Sequence, residues 1–134
     1  MKPVLFAALI LALPVQAQQF TTAAEVRPIL EATKRNWVAV REYQGRDLLY
    51  FTHLMAWRCG LSDISYGING DEYFSEWAMP ECYEGTASPG ALKETDRIYD
   101  RLPLMEVQTI TVVITYDDGE VSEETFQRSE ILMP

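Results

Sequence analysis

The sequence predicts a mainly β protein that carries one short N-terminal helix and a single disulfide bond. Alternation of apolar and polar residues over residues 106–116 is typical of a strand that buries one face. An Asn-Gly pair at residues 69–70 and the Asp-Asp-Gly of residues 117–119 are turn sequences that join antiparallel strands. Cys59 and Cys82 are the two cysteines of the chain, and they provide the disulfide.

The N-terminal segment has the three parts of a secretory signal peptide. Lys2 supplies positive charge, residues 4–13 are an unbroken apolar run, and residues 15–17 (VQA) place small residues before a cleavage point. A membrane-spanning helix needs about 20 apolar residues, so an uncleaved anchor or an N-terminal strand is the less favoured interpretation. Residues 1–17 are therefore predicted to be removed. Because Gln18 is not Cys, we expect no lipid anchor, and we expect the protein in the periplasm or secreted.

Residues 18–134 form one predicted secreted, β-rich domain with ten basic residues against twenty acidic ones. This acidic balance disfavours nucleic acid and anionic lipid as partners, because phosphates bind Lys and Arg. Four bases and sixteen acids follow Gly60, so the charge is concentrated in the later part of the chain. Two interpretations stay open: an acidic face that meets a basic protein, or a surface that only keeps the protein soluble.

The cysteine pair is expected to be structural. Cys59 and Cys82 lie 23 residues apart, whereas a redox-active pair usually has the close C-x-x-C spacing. Closing a loop of this size removes chain entropy from the unfolded state, which corresponds to about 3.4 kcal/mol of stability.

The first half of the domain predicts a helix followed by strands. Thr22 and Glu25 form a capping box, and apolar spacing of three and four residues continues it as a helix over residues 22–34. Pro28 removes a backbone donor and is expected to kink this helix or delay its start. Residues 37–43 are β-branched and aromatic and predict a strand.

Residues 47–59 are the most apolar part of the mature chain, and they predict a long central strand. Their content of Tyr, Phe, Thr and Trp favours a strand over a buried helix, which is the alternative on composition. Alternation would place one set of side chains on a common face: Leu49, Phe51, His53, Met55, Trp57 and Cys59.

The second half predicts a strand and turn over residues 61–70 and two final strands over residues 106–116 and 120–131. Between them, residues 71–103 are irregular and rich in Pro and Gly. Ser88 and Pro89 favour the start of a short helix, with residues 91–99 as its body.

Together these segments resemble an immunoglobulin-like sandwich. The resemblance rests on the strand that ends at Cys59, the I-x-Y-x-I-x-G pattern of residues 64–70 and the hairpin TITVVITYDDGEVSEETF, and it covers residues 36–131. It implies two antiparallel sheets. Cys82 departs from the pattern because it lies in the irregular middle of the chain and not in a late strand. The segment WRCGLSDISYGING is also similar to small secreted bacterial proteins of unknown function.

The sequence contains no recognisable catalytic or metal-binding pattern. His53 is the one histidine, and its apolar neighbours favour a buried, hydrogen-bonded role over a catalytic one. One histidine and two paired cysteines are too few ligands for zinc or copper, and the acidic clusters lack calcium-loop spacing. We therefore expect no cofactor and no metal, and we favour a binding function over catalysis.

The irregular stretch provides a candidate binding surface made of aromatic and acidic residues: Glu72, Tyr73, Glu76, Trp77 and Tyr83. The favoured interpretation of the aromatic rings is that they fold back as a lid over the core, held by Cys82. Three functional hypotheses follow. The first is a non-catalytic module that binds a basic protein through an acidic face, the second a small-ligand or carbohydrate-binding domain that uses Tyr73 and Trp77, and the third a small hydrolase that uses His53.

Overall fold

The computed structural model describes residues 2–9 and 19–134. The predicted cleavage point at residues 15–17 and the first mature residue, Gln18, lie outside the described residues. Within the described ranges, no helix combines the length and the apolar character needed to cross a membrane.

The described chain forms seven strands in two antiparallel sheets, with short helices between them. The first sheet has the order β1-β2-β5 and the second the order β4-β3-β6-β7. The strands are β1 (Ala39–Tyr43), β2 (Arg46–Tyr50), β3 (Leu61–Ile68), β4 (Ser75–Glu76), β5 (Tyr99–Pro103), β6 (Thr109–Tyr116) and β7 (Val121–Gln127). The helices are α1 (Ala23–Ala32), α2 (Thr52–Ala56) and α3 (Arg128–Ile131), with 3₁₀ turns at Lys34–Asn36 and Arg58–Gly60.

The predicted fold class is confirmed. The protein is mainly β, it has a short N-terminal helix, and its two antiparallel sheets contribute to one shared apolar core, as in a sandwich. The kinship with immunoglobulin-like domains stays a prediction.

Helix α1 starts where the capping box predicts. The Thr22 side chain accepts a hydrogen bond from the backbone N–H of Glu25, and Val26 and Leu30 are buried on one side of the helix. Pro28 lies inside the helix, which continues past it to Ala32. The helix ends two residues earlier than predicted, because a 3₁₀ turn follows at Lys34–Asn36.

The prediction of one long strand over residues 47–59 is wrong. Strand β2 ends at Tyr50, and the chain then turns into helix α2 and the 3₁₀ turn. Phe51, Leu54 and Met55 follow helical spacing, and all three are fully buried. A strand would have pointed Leu54 away from its two neighbours, so burial of all three on one side favours the helical turn.

The predicted helix over residues 91–99 is also absent from the structure. Gly90 instead passes so close to the Ala56 carbonyl that a Cβ there would lie 2.0 Å from the oxygen. The Gly90 and Ala91 carbonyls accept hydrogen bonds from Arg58, so tertiary contacts hold this part of the chain in place. Strand β5 begins at Tyr99 and pairs with β2.

Strands β6 and β7 confirm the predicted C-terminal hairpin. The four side chains that alternation assigns to the core are buried: Ile110, Val112, Ile114 and Tyr116. Strand β7 ends at Gln127, earlier than predicted, and helix α3 follows. The disulfide between Cys59 and Cys82 is formed, as predicted.

A buried ion pair connects the two sheets. Asp47 of β2 accepts two hydrogen bonds from the Arg128 guanidinium, at 2.7 and 2.9 Å, and one from the Val107 backbone. Arg128 also donates to the Val107 carbonyl and to Glu42. Hydrogen bonding from Arg128 is the main cause that lowers the pKa of Asp47 below its ordinary value. Because Asp47 is fully buried, its charge depends on this partner.

Removal of the disulfide is expected to destabilise the protein by about 3 kcal/mol through the entropy of the unfolded chain. The paired change Cys59→Ser and Cys82→Ser leaves no unpaired thiol. Urea unfolding measures the loss, and reduction of the unmodified protein should reproduce it. Equal stability of the reduced and oxidised proteins would contradict this prediction.

Arg128→Met is expected to cost about 3 kcal/mol, because it leaves the Asp47 carboxylate buried without its cation. The pH profile should also reverse. In the unmodified protein the folded pKa of Asp47 lies below the unfolded value, so this stabilisation is present above about pH 4 and is lost as the pH falls through the folded pKa. In Arg128→Met, burial without a cation favours the neutral carboxyl, so acidification should restore stability.

Urea unfolding between neutral and acidic pH measures both effects. Arg35→Met removes an exposed arginine that forms no ion pair with a described residue, and it serves as the control. Parallel pH profiles for Arg128→Met and the unmodified protein would show that the pair does not set the acid response.

Candidate interaction surfaces

Residues 71–90 form a surface segment, called here the acidic segment, that contains five acidic residues and no Lys or Arg. Its acids are Asp71, Glu72, Glu76, Glu81 and Glu84, and all five are exposed. Apart from the two residues of β4, the segment has no regular secondary structure. Its conformation therefore depends on side chains that fix it to the rest of the domain.

Trp77 is the first of these fixed points. Only 1% of its surface is exposed, and its ring lies 4.9 Å from the Phe51 ring. The Arg97 guanidinium covers the ring at 4.2 Å from its centroid, and the Trp77 backbone N–H donates to the Ile64 carbonyl. Trp77 therefore belongs to the core, which agrees with the lid interpretation, and its ring face is not available to a sugar.

Arg58 is the second fixed point, and it is 2% exposed. Its guanidinium forms six hydrogen bonds of 2.7–3.0 Å, with the Nε–H shared between two acceptors, and every acceptor is a backbone carbonyl. The acceptors are the carbonyls of Met55, Pro80, Glu81, Gly90 and Ala91. Burial lowers the pKa of Arg58, and the carbonyl dipoles compensate for the lost hydration. The arginine thus ties both ends of residues 80–91 to helix α2.

The disulfide adds a covalent link beside this arginine, because Cys59 follows Arg58 directly and joins Cys82 within the acidic segment. Tyr83 is packed next to it. The Arg58 guanidinium and the Lys93 ammonium lie 5.5 and 4.7 Å from the centroid of its ring. Because these two cations cover the Tyr83 ring, Tyr83 helps to hold the acidic segment in place.

The five residues of the predicted binding surface are thus divided by the structure. Tyr73 is 85% exposed, and Glu72 and Glu76 are exposed beside it in sequence, whereas Trp77 is in the core and Tyr83 is half-buried under cations. The surface that remains is acidic with one prominent aromatic ring.

Glu76 lies against a second carboxylate on the outer face of the four-stranded sheet. In the pairing of β3 with β4 it stands opposite Ser65, diagonal to Asp63. Hydrogen bonding with Asp63 and repulsion between the two charges raise the pKa of Glu76 above its ordinary value. The Asp63 and Glu76 carboxylates therefore repel each other in the protein without a partner.

His53 lies half-buried on helix α2, and its Nε2 is 2.9 Å from the Thr33 hydroxyl. That hydroxyl donates to the Ile29 carbonyl, so the neutral histidine must carry its proton on Nε2 and donate it to Thr33. Burial lowers the pKa of His53 and favours this neutral form. This hydrogen bond joins α2 to the end of α1. The Thr33 hydroxyl cannot donate to His53, because its proton is bonded to the Ile29 carbonyl.

A cleft of about 530 Å³ opens beside His53, and Tyr50 and Glu130 contribute to its wall. No group of three or more His, Cys, Asp or Glu side chains within the described ranges is arranged to hold a metal ion.

The outer face of the three-stranded sheet is a surface that sequence reasoning missed. Six of its side chains, called here the arginine–tyrosine face, line a shallow depression of about 600 Å³: Arg41, Tyr43, Arg46, Tyr50, Tyr99 and Arg101. The sequence carried a signal for four of them. Arg41 and Tyr43 are two positions apart in β1 and Arg46 and Tyr50 four positions apart in β2, so each pair points to one face of its strand. Tyr99 lies at the end of the predicted helix and Arg101 in the irregular stretch that follows it, so neither gave such a signal.

Comparison of the chain with family models, curated proteins and solved structures finds no match.

Arg58→Lys is expected to destabilise the protein by about 3 kcal/mol, because an ammonium cannot reach five carbonyls and leaves several of them buried without donors. The local result should be faster amide hydrogen exchange within residues 80–91. Arg35→Lys, the same change at an exposed arginine, should alter neither quantity. Unchanged exchange in residues 80–91 of Arg58→Lys would show that the disulfide and Trp77 hold the segment without the arginine.

Proposed function

We propose that the mature domain is an exported, non-catalytic interaction module that binds a basic protein partner through the acidic segment. One observation carries this proposal: five exposed acids and no base lie on a segment whose backbone is held by a buried arginine, a disulfide and a buried tryptophan. The leader pattern and the disulfide support an oxidising compartment outside the cytoplasm, the periplasm or the exterior.

A held segment favours binding because less conformational entropy is lost when a partner docks. A surface that served solubility alone would not need fixed geometry, since exposed charge on a mobile loop keeps a protein soluble equally well. In this domain Arg58 and Trp77 fix the acidic segment at several points along its length. The carboxylates therefore meet a partner in a defined arrangement.

The Asp63–Glu76 contact supports a cationic partner. Two carboxylates held close together repel each other, and a Lys or Arg side chain placed between them would relieve that repulsion. Tyr73 stands beside these charges with most of its ring exposed, and tyrosine is enriched at protein interfaces because it combines apolar area with a polar tip.

The two other hypotheses receive less support from the structure. The carbohydrate-binding hypothesis needs the Trp77 ring, which lies in the core. The hydrolase hypothesis needs His53, whose Nε2 proton is donated to Thr33.

Neutralising two acids of the acidic segment, Glu72→Gln with Glu84→Gln, is expected to weaken binding to a fluorescein-labelled Lys/Arg-rich peptide about tenfold, equivalent to about 1.4 kcal/mol. Higher salt should weaken binding by the unmodified protein, because these charges are exposed to solvent. Fluorescence polarisation measures both effects.

The matched control is Glu94→Gln with Glu123→Gln, which changes the net charge equally at exposed acids outside the acidic segment. Equal weakening in both double variants would mean that only overall charge matters, which would contradict a site. Immobilised residues 18–134 should also retain a basic protein from periplasmic extract at low salt and release it at high salt.

A further inference from the structure

We propose that the arginine–tyrosine face is a second binding site, which takes an extended acidic segment of a protein partner. This site is separate from the acidic segment and has the opposite charge. It lies on the outer side of the three-stranded sheet, where alternate residues of β1, β2 and β5 point away from the core.

Strand pairing brings the basic side chains together. Arg41 stands opposite Leu48, and Leu48 stands opposite Arg101 on its other side, so the two arginines flank one leucine across three strands. Neighbouring strands lie about 4.8 Å apart, which places the two arginine backbones about 10 Å from each other. Arg46 projects from the same face, opposite Tyr43.

The acids of these three strands project to the other side of the sheet, where they are neutralised. Glu42 and Asp47 accept hydrogen bonds from Arg128, and Asp100 forms an ion pair with Arg97. The outer face of β1, β2 and β5 consequently carries three positive charges and no negative one. This is unexpected in a domain whose acids outnumber its bases two to one.

The three arginines of the face are exposed, and none of them forms an ion pair with any residue in the described part of the chain. Arg27, Lys34, Arg97 and Arg128 are all paired. Since exposed acids are abundant elsewhere on the domain, the unpaired arginines leave a concentrated positive charge for an external anion.

The tyrosines orient these charges. The Arg41 guanidinium lies 4.7 Å from the centroid of the Tyr43 ring, and that of Arg101 lies 5.8 Å from the Tyr99 ring. The Arg101 Nη2 donates to the Tyr99 hydroxyl at 3.4 Å. The remaining donors at the edges of the two guanidiniums fit a carboxylate with two parallel hydrogen bonds. Arginine is the only base on this face, which favours such paired recognition over simple charge attraction.

The size of the face favours a short peptide segment over the surface of a folded protein as the occupant. Three strands of five residues measure about 14 by 17 Å, an area of about 240 Å², whereas a standard protein interface buries about 800 Å² on each partner. Arg and Tyr are also the residues that dominate binding energy at protein interfaces. An extended peptide with Glu or Asp at alternate positions would present its carboxylates toward the three guanidiniums.

Binding of a fluorescein-labelled peptide with Glu at alternate positions tests this site by fluorescence polarisation. Arg41→Gln with Arg101→Gln should weaken that binding at least about tenfold. The matched comparison uses single variants: Arg41→Gln should weaken the binding, whereas Arg35→Gln, which removes an exposed arginine without an ion pair elsewhere, should change the affinity less than about twofold. Because Arg35, Arg41 and Arg101 are exposed, all of these variants should keep the melting temperature of the unmodified protein.

Two results would overturn the proposal: equal peptide affinity for Arg41→Gln and Arg35→Gln, or polygalacturonate bound at this face without any binding of the acidic peptide. The second result would assign the face to an anionic glycan. The same variants distinguish this site from the proposed function, since Arg41→Gln with Arg101→Gln should leave binding of the Lys/Arg-rich peptide intact.

Discussion

The irregular stretch of the domain depends on the hydrogen bonds of the buried Arg58 guanidinium. Residues 77–98, between β4 and β5, form no helix or strand, so their carbonyls must accept hydrogen bonds from donors elsewhere. Arg58 supplies those donors to Pro80, Glu81, Gly90 and Ala91. The disulfide at the neighbouring Cys59 then limits how far the segment can separate from α2 when the chain opens.

The separation of charge between two surfaces follows from strand geometry. Successive side chains of a strand point to opposite faces, so Glu42 and Asp47 turn inward to Arg128 while Arg41 and Arg46 turn outward. The inward acids help to join the sheets, and the outward bases remain unpaired. A domain with a large acidic excess thus retains one basic face, and if both proposed sites bind, it can hold a basic and an acidic partner at the same time.

Local signals predicted the parts of the fold whose stabilising contacts are near in sequence. The Thr22–Glu25 cap, the alternation of β6 and its turn into β7 all depend on residues a few positions apart, and each is confirmed. The prediction of one strand over residues 47–59 is wrong because a short apolar run rich in aromatic residues fits a strand and a helix equally well. Burial of Phe51 and Leu54 against distant residues decided the outcome.

The sequence by itself determined the β-rich class, the capped first helix, the C-terminal hairpin and the pairing of its only two cysteines, since periodicity, turn residues and a single pairing choice leave little freedom. Tertiary structure alone decided which loop aromatic enters the core, Trp77 and not Tyr73. It also decided that Arg58 binds carbonyls and not an acid, and that Arg101 joins Arg41 on one face. These outcomes depend on residues that are 20 to 60 positions apart, such as Arg58 with Ala91 and Arg41 with Arg101 across β2. No local pattern specifies such contacts, because they arise only when the two sheets and the irregular segment pack together.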